Sequence, residues 1–270
     1  MPELPEVETI KNELSPLAVG RTIVSVEFLW EKTLLSPDIS EFARRVNGRK
    51  VVSLDRRGKY LVWRLDSGDS LLVHLRMTGS FFIGDGSSPD PSHTRAIVHF
   101  DGGLKAYFID PRKFGKFQLV SDDGWMCGKL GVEPLSDEFT AEVLTLLLEG
   151  KKAPVKAVLL RQDLIAGVGN MYADEALYEA GIRPARLADG LTSIEIIRLH
   201  GAIREVLRRA VASGGASISN YFRPDGARGH AHEGFKVAHR RGGTCYCCGG
   251  PVERIVVCQR GTYFCPACQR

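Results

Sequence analysis

The chain starts with MPELPEVET, in which a proline precedes three glutamates, Glu3, Glu6 and Glu8. If Met1 is removed, Pro2 carries a free α-amine, which is a nucleophile, and Glu3 stands beside it as an acid. The same residues also suit the first turn of a helix, because proline lacks an N–H that is not needed there and glutamates favour the positive end of the helix dipole. Taken alone, this stretch favours a helix that starts at Pro2 over a catalytic role.

Four cysteines near the C-terminus have the spacing of metal ligands. Two Cys-x-x-Cys pairs lie 16 residues apart, and four thiolates at this spacing close a tetrahedral zinc site with no open position. The ion is therefore expected to build the fold and not to carry out chemistry, with a β-hairpin between the pairs that presents residues 259–262. The predicted ligands of this one structural zinc ion are Cys245, Cys248, Cys265 and Cys268.

The other cysteines need a separate interpretation. Six of the seven cysteines lie between Cys245 and Cys268, which indicates a local metal site in a reducing compartment rather than a disulfide framework. Cys247 is able to replace a neighbour as a zinc ligand. Cys127 and Cys258 are interpreted as small hydrophobic residues.

A glycine-rich turn within residues 161–184 feeds a predicted helix. Gly167 and Gly169 break the chain before Asn170, and the helix ends at Gly181. The backbone N–H groups at a helix start can hold a phosphate, and the amide of Asn170 adds a donor. On its own, however, a helix–turn–helix of this kind more often serves packing.

Five motifs in one order carry a resemblance that covers nearly the whole chain. They are PELPEVET at the N-terminus, HLRMTG at 74–79, DPRKFG at 110–115, GVGNMYADEAL at 167–177 and the CxxC…CPxCQ terminus. The sequence resembles the bacterial formamidopyrimidine-DNA glycosylases, which excise 8-oxoguanine and ring-opened purines. The resemblance implies an α+β protein with an N-terminal antiparallel β-sandwich and first helix, and a C-terminal helix–two-turn–helix domain with a zinc ribbon. Damaged double-stranded DNA is then the partner, bound in the cleft between the domains.

The resemblance also implies a mechanism. Pro2 attacks C1′ of the damaged nucleotide, and the resulting iminium has a fixed positive charge that permits β- and then δ-elimination. An α-amine suits this role because it titrates near a pKa of about 8, well below an unperturbed lysine. Glu3 is the implied general acid and base, Glu6 supports the amine, and Glu8 is expected to be only a surface charge.

Further residues match family positions that contact DNA. Lys59 resembles the catalytic-site lysine that contacts phosphate. The alternative is an ordinary lysine at a hairpin tip, with no catalytic role. Asn170 and Arg260 are implied to clamp the phosphates that flank the extruded nucleotide, and His74 and Lys156 to add contacts. Phosphate contacts of this kind make binding depend steeply on salt.

A base that leaves the stack creates a hole that the protein has to fill. Met77, Arg112 and Phe114 match the family's filling set: Met77 occupies the void, Phe114 wedges between base pairs, and Arg112 hydrogen-bonds the orphaned cytosine. Without the other motifs, Met77 and Phe114 would be assigned to a strand core. Residues 217–230, SISNYFRPDGARGH, correspond to the loop that closes over the extruded base.

The sequence departs from the family pattern at three places, none of which touches Pro2 or Glu3. Ala238-His239-Arg240 stands where the family usually has Tyr-Gly-Arg, and Arg161 stands where many members have an aspartate. Thr78 occupies a position where some relatives place a glutamate near the base. These departures are expected to alter lesion preference or the grip on DNA.

Two other functions are compatible with part of the sequence. An endonuclease VIII-like enzyme removes oxidised pyrimidines by the same chemistry, but its N-terminus usually reads Pro-Glu-Gly-Pro-Glu, so Leu4 and the filling set favour the purine enzyme. A lesion-binding protein without catalysis is the second alternative, and the intact pair of Pro2 and Glu3 opposes it.

The elements that must position these residues can be read from the hydrophobic pattern. Residues from Thr22 to about Val120 read as strands: TIVSVEFLW, VVSL, YLVWRL, LLVHLRM, RAIVHF, LKAYFI and KFQLV. A capping box at Thr192 and Glu195 starts a long helix that ends at Gly214-Gly215. The predicted domains are 1–130 (catalytic sandwich), 131–236 (helical) and 237–270 (zinc finger).

Composition bounds the remaining properties. With 270 residues, of which 44% are hydrophobic, the chain can bury one or two cores. The net charge of +4 is uneven: residues 221–270 carry +5 and the first 220 carry −1, which suits a polyanionic partner. No apolar run of about 18 residues and no leader is found, so a cytoplasmic, nucleoid-associated monomer without a membrane partner is expected.

Overall fold

The computed structural model of this chain describes residues 1–122, 124–218 and 221–270, apart from the side chains of residues 125–127. It forms two compact units, one of residues 1–127 and 213–230 and the other of residues 128–212 and 231–270. Residues 213–230, which the sequence places in the helical domain, thus belong to the N-terminal unit. They are held there by hydrogen bonds such as that from Ala216 N to Glu6 Oε1, at 2.8 Å.

The N-terminal unit is built on a nine-stranded sheet with the order β2-β9-β5-β4-β3-β1-β7-β8-β6. The β2–β9 pair is parallel, and the other pairs among the described strands are antiparallel. The strands are β1 (Thr22–Phe28), β2 (Leu34–Ser36), β3 (Arg49–Arg57), β4 (Tyr60–Leu65), β5 (Ser70–His74), β6 (Ser80–Gly84), β7 (Thr94–Phe100), β8 (Lys105–Ile109) and β9 (Lys116–Val120).

This sheet folds into the two layers of a sandwich because β1 changes partner along its length. β1 pairs with β3 only at Thr22 and Ile23, and it pairs with β7 from Ile23 to Phe28, with a register shift between Ile23 and Ser25. Aromatic side chains fill the space between the layers. Trp63 of β4 stacks on Phe100 of β7 with 6.0 Å between ring centroids, and Phe117 of β9 meets Phe108 of β8 edge-on at 5.0 Å.

Two helices complete the sandwich. Helix α1 (Leu4–Ala18) lays Val7, Ile10, Leu14 and Ala18 onto the core at helical spacing. It begins at Leu4 with Glu3 as its N-cap, so the predicted start at Pro2 is wrong by two residues. Helix α2 (Ile39–Val46) lies in a region predicted to contain strands only, and it is capped by Asp38, whose Oδ1 accepts a hydrogen bond from Glu41 N at 2.9 Å.

The second unit contains a helical part and a β-hairpin. Its longest helix starts at the predicted capping box, where Thr192 N donates to Glu195 Oε2 at 2.8 Å, and ends just before Gly214. Between α5 and α6 the chain makes the two turns of the helix–two-turn–helix. The elements after α3 (Gly124–Lys129) are α4 (Ala141–Leu148), α5 (Val155–Leu159), α6 (Asn170–Glu179), α7 (Ser193–Ala212), β10 (Glu253–Val257) and β11 (Arg260–Phe264).

Within the described residues, the helices are too short or too polar to cross a membrane.

Candidate active site and nucleic-acid contacts

The predicted nucleophile and acid lie in a closed turn at the start of α1. Pro2 is buried, and Glu3 and Glu6 are 2% and 1% exposed. Glu6 holds this turn from both sides, because its Oε2 accepts from Glu3 N at 2.7 Å and its Oε1 accepts from Ala216 N at 2.8 Å. The structure therefore brings Pro2, Glu3 and Glu6 together at a helix N-terminus, where the dipole stabilises negative charge.

Glu8 is more than the surface charge that the sequence suggests. Its Oε2 accepts a hydrogen bond of 2.6 Å from Arg56 Nε, and the two side chains are only 19% and 8% exposed. Burial alone would raise the pKa of Glu8, but the contacts with Lys11 and Arg56 outweigh it and hold the pKa below its usual range. Arg56 Nη1 also donates to Gly58 O at 3.1 Å, so Glu8 braces the turn that carries Lys59.

Lys59 occupies the tip of the β3–β4 hairpin, as predicted, but it is not an ordinary exposed lysine at such a tip. Its side chain is 7% exposed. Its positive charge acts on His74, which lies opposite Tyr60 in the neighbouring strand pair. A buried ammonium at this point is a strong, fixed cation near the end of β5.

The His74 ring is neutral. Burial lowers the pKa of His74 to about 3, and the charges of Arg76 and Lys59 act in the same direction. His74 Nδ1 accepts a hydrogen bond from Arg76 N at 2.9 Å, so the ring proton is placed on Nε2. The predicted DNA contact of His74 is thus a neutral N–H donor and not a charge.

The predicted filling set lies on two turns of the same unit. Met77 is in the turn between β5 and β6 and is 40% exposed, while Phe114 is in the turn between β8 and β9 and is 47% exposed. The guanidinium carbon of Arg112 lies 4.8 Å from the centroid of the Phe114 ring. Large apolar side chains this exposed are not core residues, so the alternative interpretation of Met77 and Phe114 as strand core is wrong.

The two turns share one buried carboxylate. Thr78 Oγ1 donates a short hydrogen bond to Asp110 Oδ1, and Gly115 N donates to Asp110 Oδ2 at 2.7 Å. Arg112 N lies 3.3 Å from both Thr78 Oγ1 and Asp110 Oδ1. Asp110 is fully buried, and it was not recognised as a site residue from the sequence, although it is the first residue of the DPRKFG motif.

In the second unit, Lys156 does not have the place predicted for it. Its side chain is fully buried and its Nζ lies 2.7 Å from Asp174 Oδ1. The same ammonium donates to Thr262 Oγ1 at 2.8 Å and to Gly261 O at 3.1 Å. A direct contact with phosphate, as predicted, is incompatible with this burial. Lys156 instead fastens the β10–β11 hairpin.

Asn170 contacts that hairpin next to Arg260. Asn170 is the first residue of α6, and its Nδ2 donates to Gly261 O at 2.9 Å. Its Oδ1 is buried without a hydrogen-bond partner in the described part of the chain. Arg260 starts β11 directly after the two turn residues Cys258 and Gln259, which have left-handed φ angles of 46° and 63°, and its side chain is exposed. Arg260 is thus exposed and precedes Gly261, the residue whose carbonyl holds the Asn170 amide.

The four predicted cysteine ligands converge. The Sγ atoms of Cys245, Cys248, Cys265 and Cys268 all lie within 4.8 Å of one another, with Cys245–Cys268 at 3.8 Å and Cys248–Cys265 at 3.4 Å. A tetrahedral zinc ion with Zn–S bonds of about 2.3 Å needs sulfurs about 3.8 Å apart, so the residues fit this metal. Four protein ligands leave no position for substrate, and the zinc of this chain is structural.

A tyrosine supports the cluster from α6. Tyr178 Oη lies 3.2 Å from Cys245 Sγ. Burial and the neighbouring Cys245 raise the pKa of Tyr178, so its hydroxyl keeps the proton and is the donor to a thiolate. Cys247 is exposed and outside the cluster, and Cys258, interpreted from the sequence as a small hydrophobic residue, is exposed in the hairpin turn. The side chain of Cys127 is outside the described residues.

Comparison with known proteins decides the family. The model of the formamidopyrimidine-DNA glycosylase N-terminal domain matches residues 1–117, and the model of the corresponding H2TH domain matches residues 130–221. Formamidopyrimidine-DNA glycosylases of Symbiobacterium thermophilum and Chloroflexus aggregans are 45% and 44% identical over the whole of this chain and 89% and 98% of their own length. This chain belongs to the formamidopyrimidine-DNA glycosylase family.

Solved structures of the family agree. The MutM (Fpg) protein of Thermus thermophilus is 42% identical, with a TM-score of 0.89 over 99% of this chain and 98% of that chain. A Lactococcus lactis Fpg variant in complex with Fapy-dG-containing DNA is 33% identical, with a TM-score of 0.93 over the full length of both. The activity of the family is excision of oxidised purines together with cleavage at abasic sites, and neither of the two alternative functions is favoured.

The departures from the family pattern now have structural explanations. Thr78 is 7% exposed and bonded to Asp110. Arg161 is half-exposed and pairs with Asp163, at 2.5 Å. His239 has a φ of 61°, the left-handed region that favours glycine, so the usual family glycine fits this position better. Its ring compensates in part by lying 5.6 Å from the ring of Tyr263.

His93 is a further residue that sequence reasoning missed. It is exposed, has a φ of 65°, and accepts a hydrogen bond from Asp110 N through its carbonyl at 3.0 Å. With Pro111 and Phe222 it lines a cavity of about 330 Å³ in the N-terminal unit. No spacing in the sequence points to it, because the cavity is lined by four separate segments of the chain.

Proposed function

We propose that this chain excises oxidised purines from damaged double-stranded DNA with the amine of Pro2 as the nucleophile, and then cleaves the abasic site. The observation that carries the proposal is the buried turn in which Pro2 and Glu3 precede Glu6, in a chain of this family. Glu6 fixes the backbone of Glu3 and so fixes the direction of both neighbouring groups.

The chemistry follows from a secondary amine at the terminus. The Pro2 nitrogen forms a bond to C1′ as the bond from C1′ to the base breaks, and Glu3 supplies a proton to the ring oxygen as the sugar opens. The product is an iminium with no N–H to lose. It acidifies the 2′ hydrogen, whose removal expels the 3′ phosphate, and a second elimination expels the 5′ phosphate.

Four further side chains serve this reaction by holding phosphate. Lys59 offers a buried, fixed cation and His74 a neutral Nε2–H donor. Arg260 offers an exposed guanidinium, which suits a phosphate in a bidentate mode. The Asn170 amide is held by Gly261 O through one N–H, which leaves its second N–H for a phosphate oxygen. Lys156 has a positioning role through the hairpin.

The hole left by the extruded base is filled by Met77, Phe114 and Arg112. Met77 and Phe114 are exposed apolar side chains on turns, as wedges have to be. Arg112 is oriented by stacking on Phe114 and donates from a planar group to the base opposite the lesion. Residues 217–230 close over the extruded base, although Ser219 and Asn220 lie outside the described residues.

The zinc ion stabilises the β10–β11 hairpin and with it the position of Arg260. One copy of the chain carries the amine and the phosphate-binding groups, which supports a monomer as the active form. The relatives are bacterial proteins, and bacterial DNA lies in the cytoplasm, which supports a cytoplasmic location on the nucleoid.

The decisive experiment is covalent trapping. The protein is incubated with a duplex that contains 8-oxoguanine opposite cytosine in the presence of borohydride, and the attachment point of DNA is located by mass spectrometry. An adduct at Pro2 is expected. A control chain with one serine retained before Pro2 should give none, because an acylated nitrogen has no usable lone pair. No adduct on any oxidised duplex would overturn the proposal, and an adduct on thymine glycol alone would identify a pyrimidine enzyme.

A further inference from the structure

The hydrogen bonds around Asp110 link the two turns that carry Met77 and the Arg112–Phe114 pair. The Asp110 carboxylate is fully buried and accepts from one hydroxyl and two backbone N–H groups. Two of these donors, Arg112 N and Gly115 N, belong to the second turn. The third donor, the hydroxyl of Thr78, belongs to the first turn and directly follows Met77.

Close packing on both sides leaves these turns little freedom to move. A Cβ at Gly79 would lie 2.5 Å from Leu75 O, and a Cβ at Gly115 would lie 2.3 Å from the Phe108 ring. Both turns also contain a non-glycine residue with a left-handed φ, 56° at Arg76 and 61° at Lys113. Backbones of this kind persist only where the surroundings hold them. The hydroxyl of Thr78 joins one turn to the other, through Asp110 Oδ1 and Arg112 N.

The hydroxyl of Thr78 is therefore engaged inside the protein. It donates to Asp110 Oδ1 and lies 3.3 Å from Arg112 N, and the residue is 7% exposed. A threonine placed in this way does not offer its hydroxyl to a DNA base. Its contribution passes through the backbone of Arg112.

We propose that Thr78 and Asp110 are positioning residues that set how strongly the protein distinguishes the base opposite the extruded nucleotide. The proposal rests on the role given above to Arg112. Cytosine offers adjacent oxygen and nitrogen acceptors to a planar guanidinium, whereas adenine places a donor next to its acceptor. Discrimination between them depends on where the guanidinium lies, so a loosened Arg112 turn loses selectivity before it loses affinity.

The test compares Thr78→Val, which keeps the shape and removes the hydroxyl, with Thr78→Ser, which keeps the hydroxyl. Binding to duplexes with a tetrahydrofuran abasic analogue opposite cytosine or adenine is measured by fluorescence anisotropy. The wild-type protein is expected to prefer cytosine. Thr78→Val should reduce the ratio of the two affinities by about fivefold, the value of one hydrogen bond, and Thr78→Ser should retain it.

Asp110→Asn provides an independent variant, because an amide replaces one acceptor oxygen by a donor at the same volume. It should reduce the ratio at least as much as Thr78→Val. A cytosine-to-adenine ratio within twofold of wild type in Thr78→Val would overturn the proposal. So would equal loss of binding to both duplexes in a Thr78→Val protein that keeps the wild-type melting temperature, since that is a general structural effect.

The catalytic role of Pro2 and the positioning role of Thr78 and Asp110 are tested separately. If wild-type protein gives no Pro2 adduct, the proposed catalytic role fails whatever the binding ratios are. If wild-type protein forms the adduct and prefers cytosine, but the Thr78 variants keep that preference unchanged, only the positioning role of Thr78 and Asp110 fails.

Discussion

Lys156 and Asp174 form a completely buried ion pair, with 2.7 Å between Nζ and Oδ1. Asp174 Oδ2 also accepts from Tyr263 N at 3.0 Å, and Lys156 also donates to Gly261 O and Thr262 Oγ1. Through these contacts, helices α5 and α6 hold β11, the strand that starts with Arg260. The charge of Lys156, which the sequence assigns to DNA, instead holds the strand of Arg260, the residue proposed to contact DNA.

Lys156→Met should destabilise the zinc-loaded protein by about 3–5 kcal/mol, because it leaves the Asp174 carboxylate buried without its counter-ion. Urea unfolding of the two proteins at pH 7 measures this. The double variant Lys156→Met/Asp174→Leu is the matched control and should recover part of the loss. A loss below about 1 kcal/mol in the single variant would contradict the buried pair.

The neutral His74 predicts a pH dependence of stability. Its pKa is about 3 in the folded protein and about 6.5 in an unfolded chain. Below pH 6.5, His74 therefore binds a proton in the unfolded state but not in the folded state. The free energy of unfolding falls by about 1.4 kcal/mol per pH unit.

The contribution of the neutral His74 ring to the free energy of unfolding is complete above pH 6.5 and is lost as the pH falls toward 3. Asparagine at this position can still accept from Arg76 N but does not titrate. The free energy of unfolding should thus fall less between pH 7 and 5 in His74→Asn than in wild type. Parallel pH profiles for the two proteins in urea would contradict a neutral, buried His74.

The salt dependence of DNA binding separates charged from neutral phosphate contacts. Arg260→Ala should reduce the slope of log K against log salt by about 1, and Asn170→Ala should weaken binding with little change in slope. Arg44→Ala removes the same charge from an exposed site on α2 and is the control. Equal changes of slope in Arg260→Ala and Arg44→Ala would show that Arg260 touches no phosphate.

The zinc cluster predicts opposite behaviour of two adjacent cysteines. Cys248→Ser should lose most of the bound zinc and, with the hairpin unfolded, most of the affinity for DNA. Cys247→Ser should keep one zinc per chain, because that thiol is outside the cluster. Metal analysis of the purified proteins and anisotropy with a duplex decide the matter. A fall in zinc content in Cys247→Ser would show that Cys247 is a zinc ligand.

Glu3→Gln tests the proposed acid. The amide keeps the N-cap shape but cannot transfer a proton, so excision of 8-oxoguanine should slow by roughly 10²–10⁴-fold. Glu142→Gln removes a carboxylate from an exposed position in the first turn of α4 and is the matched control, so it should keep excision near wild type. Similar rates for Glu3→Gln and wild type in single-turnover assays would remove Glu3 from the chemistry.

Local patterns were sufficient for most of the fold. Alternating apolar residues predicted seven of the nine sandwich strands, and the capping box at Thr192 predicted the start of α7. β2 was missed because three residues are too few for an alternation to show, and β6 was missed because Gly79 and the glycine-rich turn from Gly84 bound it closely. Helix α2 was missed although Asp38 and Glu41 form a cap, because the surrounding strand signals were stronger.

The site was predicted less completely, for a physical reason. The zinc ligands depend on spacing within one segment, and the structure brings all four together. The state of Lys156 depends on Asp174 and on Thr262, which is 106 residues away. The burial of Glu8 likewise depends on Arg56, 48 residues away. Residue type shows that a charge is present, but only the fold determines what neutralises it.

The hydrogen bond from Ala216 to Glu6 joins residues 210 positions apart. At synthesis rates of about 5–20 residues per second, Ala216 follows Glu6 off the ribosome by roughly 10–40 s. Until then the first turn of the nascent chain lacks the partner that closes it. The proposed mechanism needs Met1 removed, and this delay gives an aminopeptidase an interval before the segment that binds Glu6 has been made.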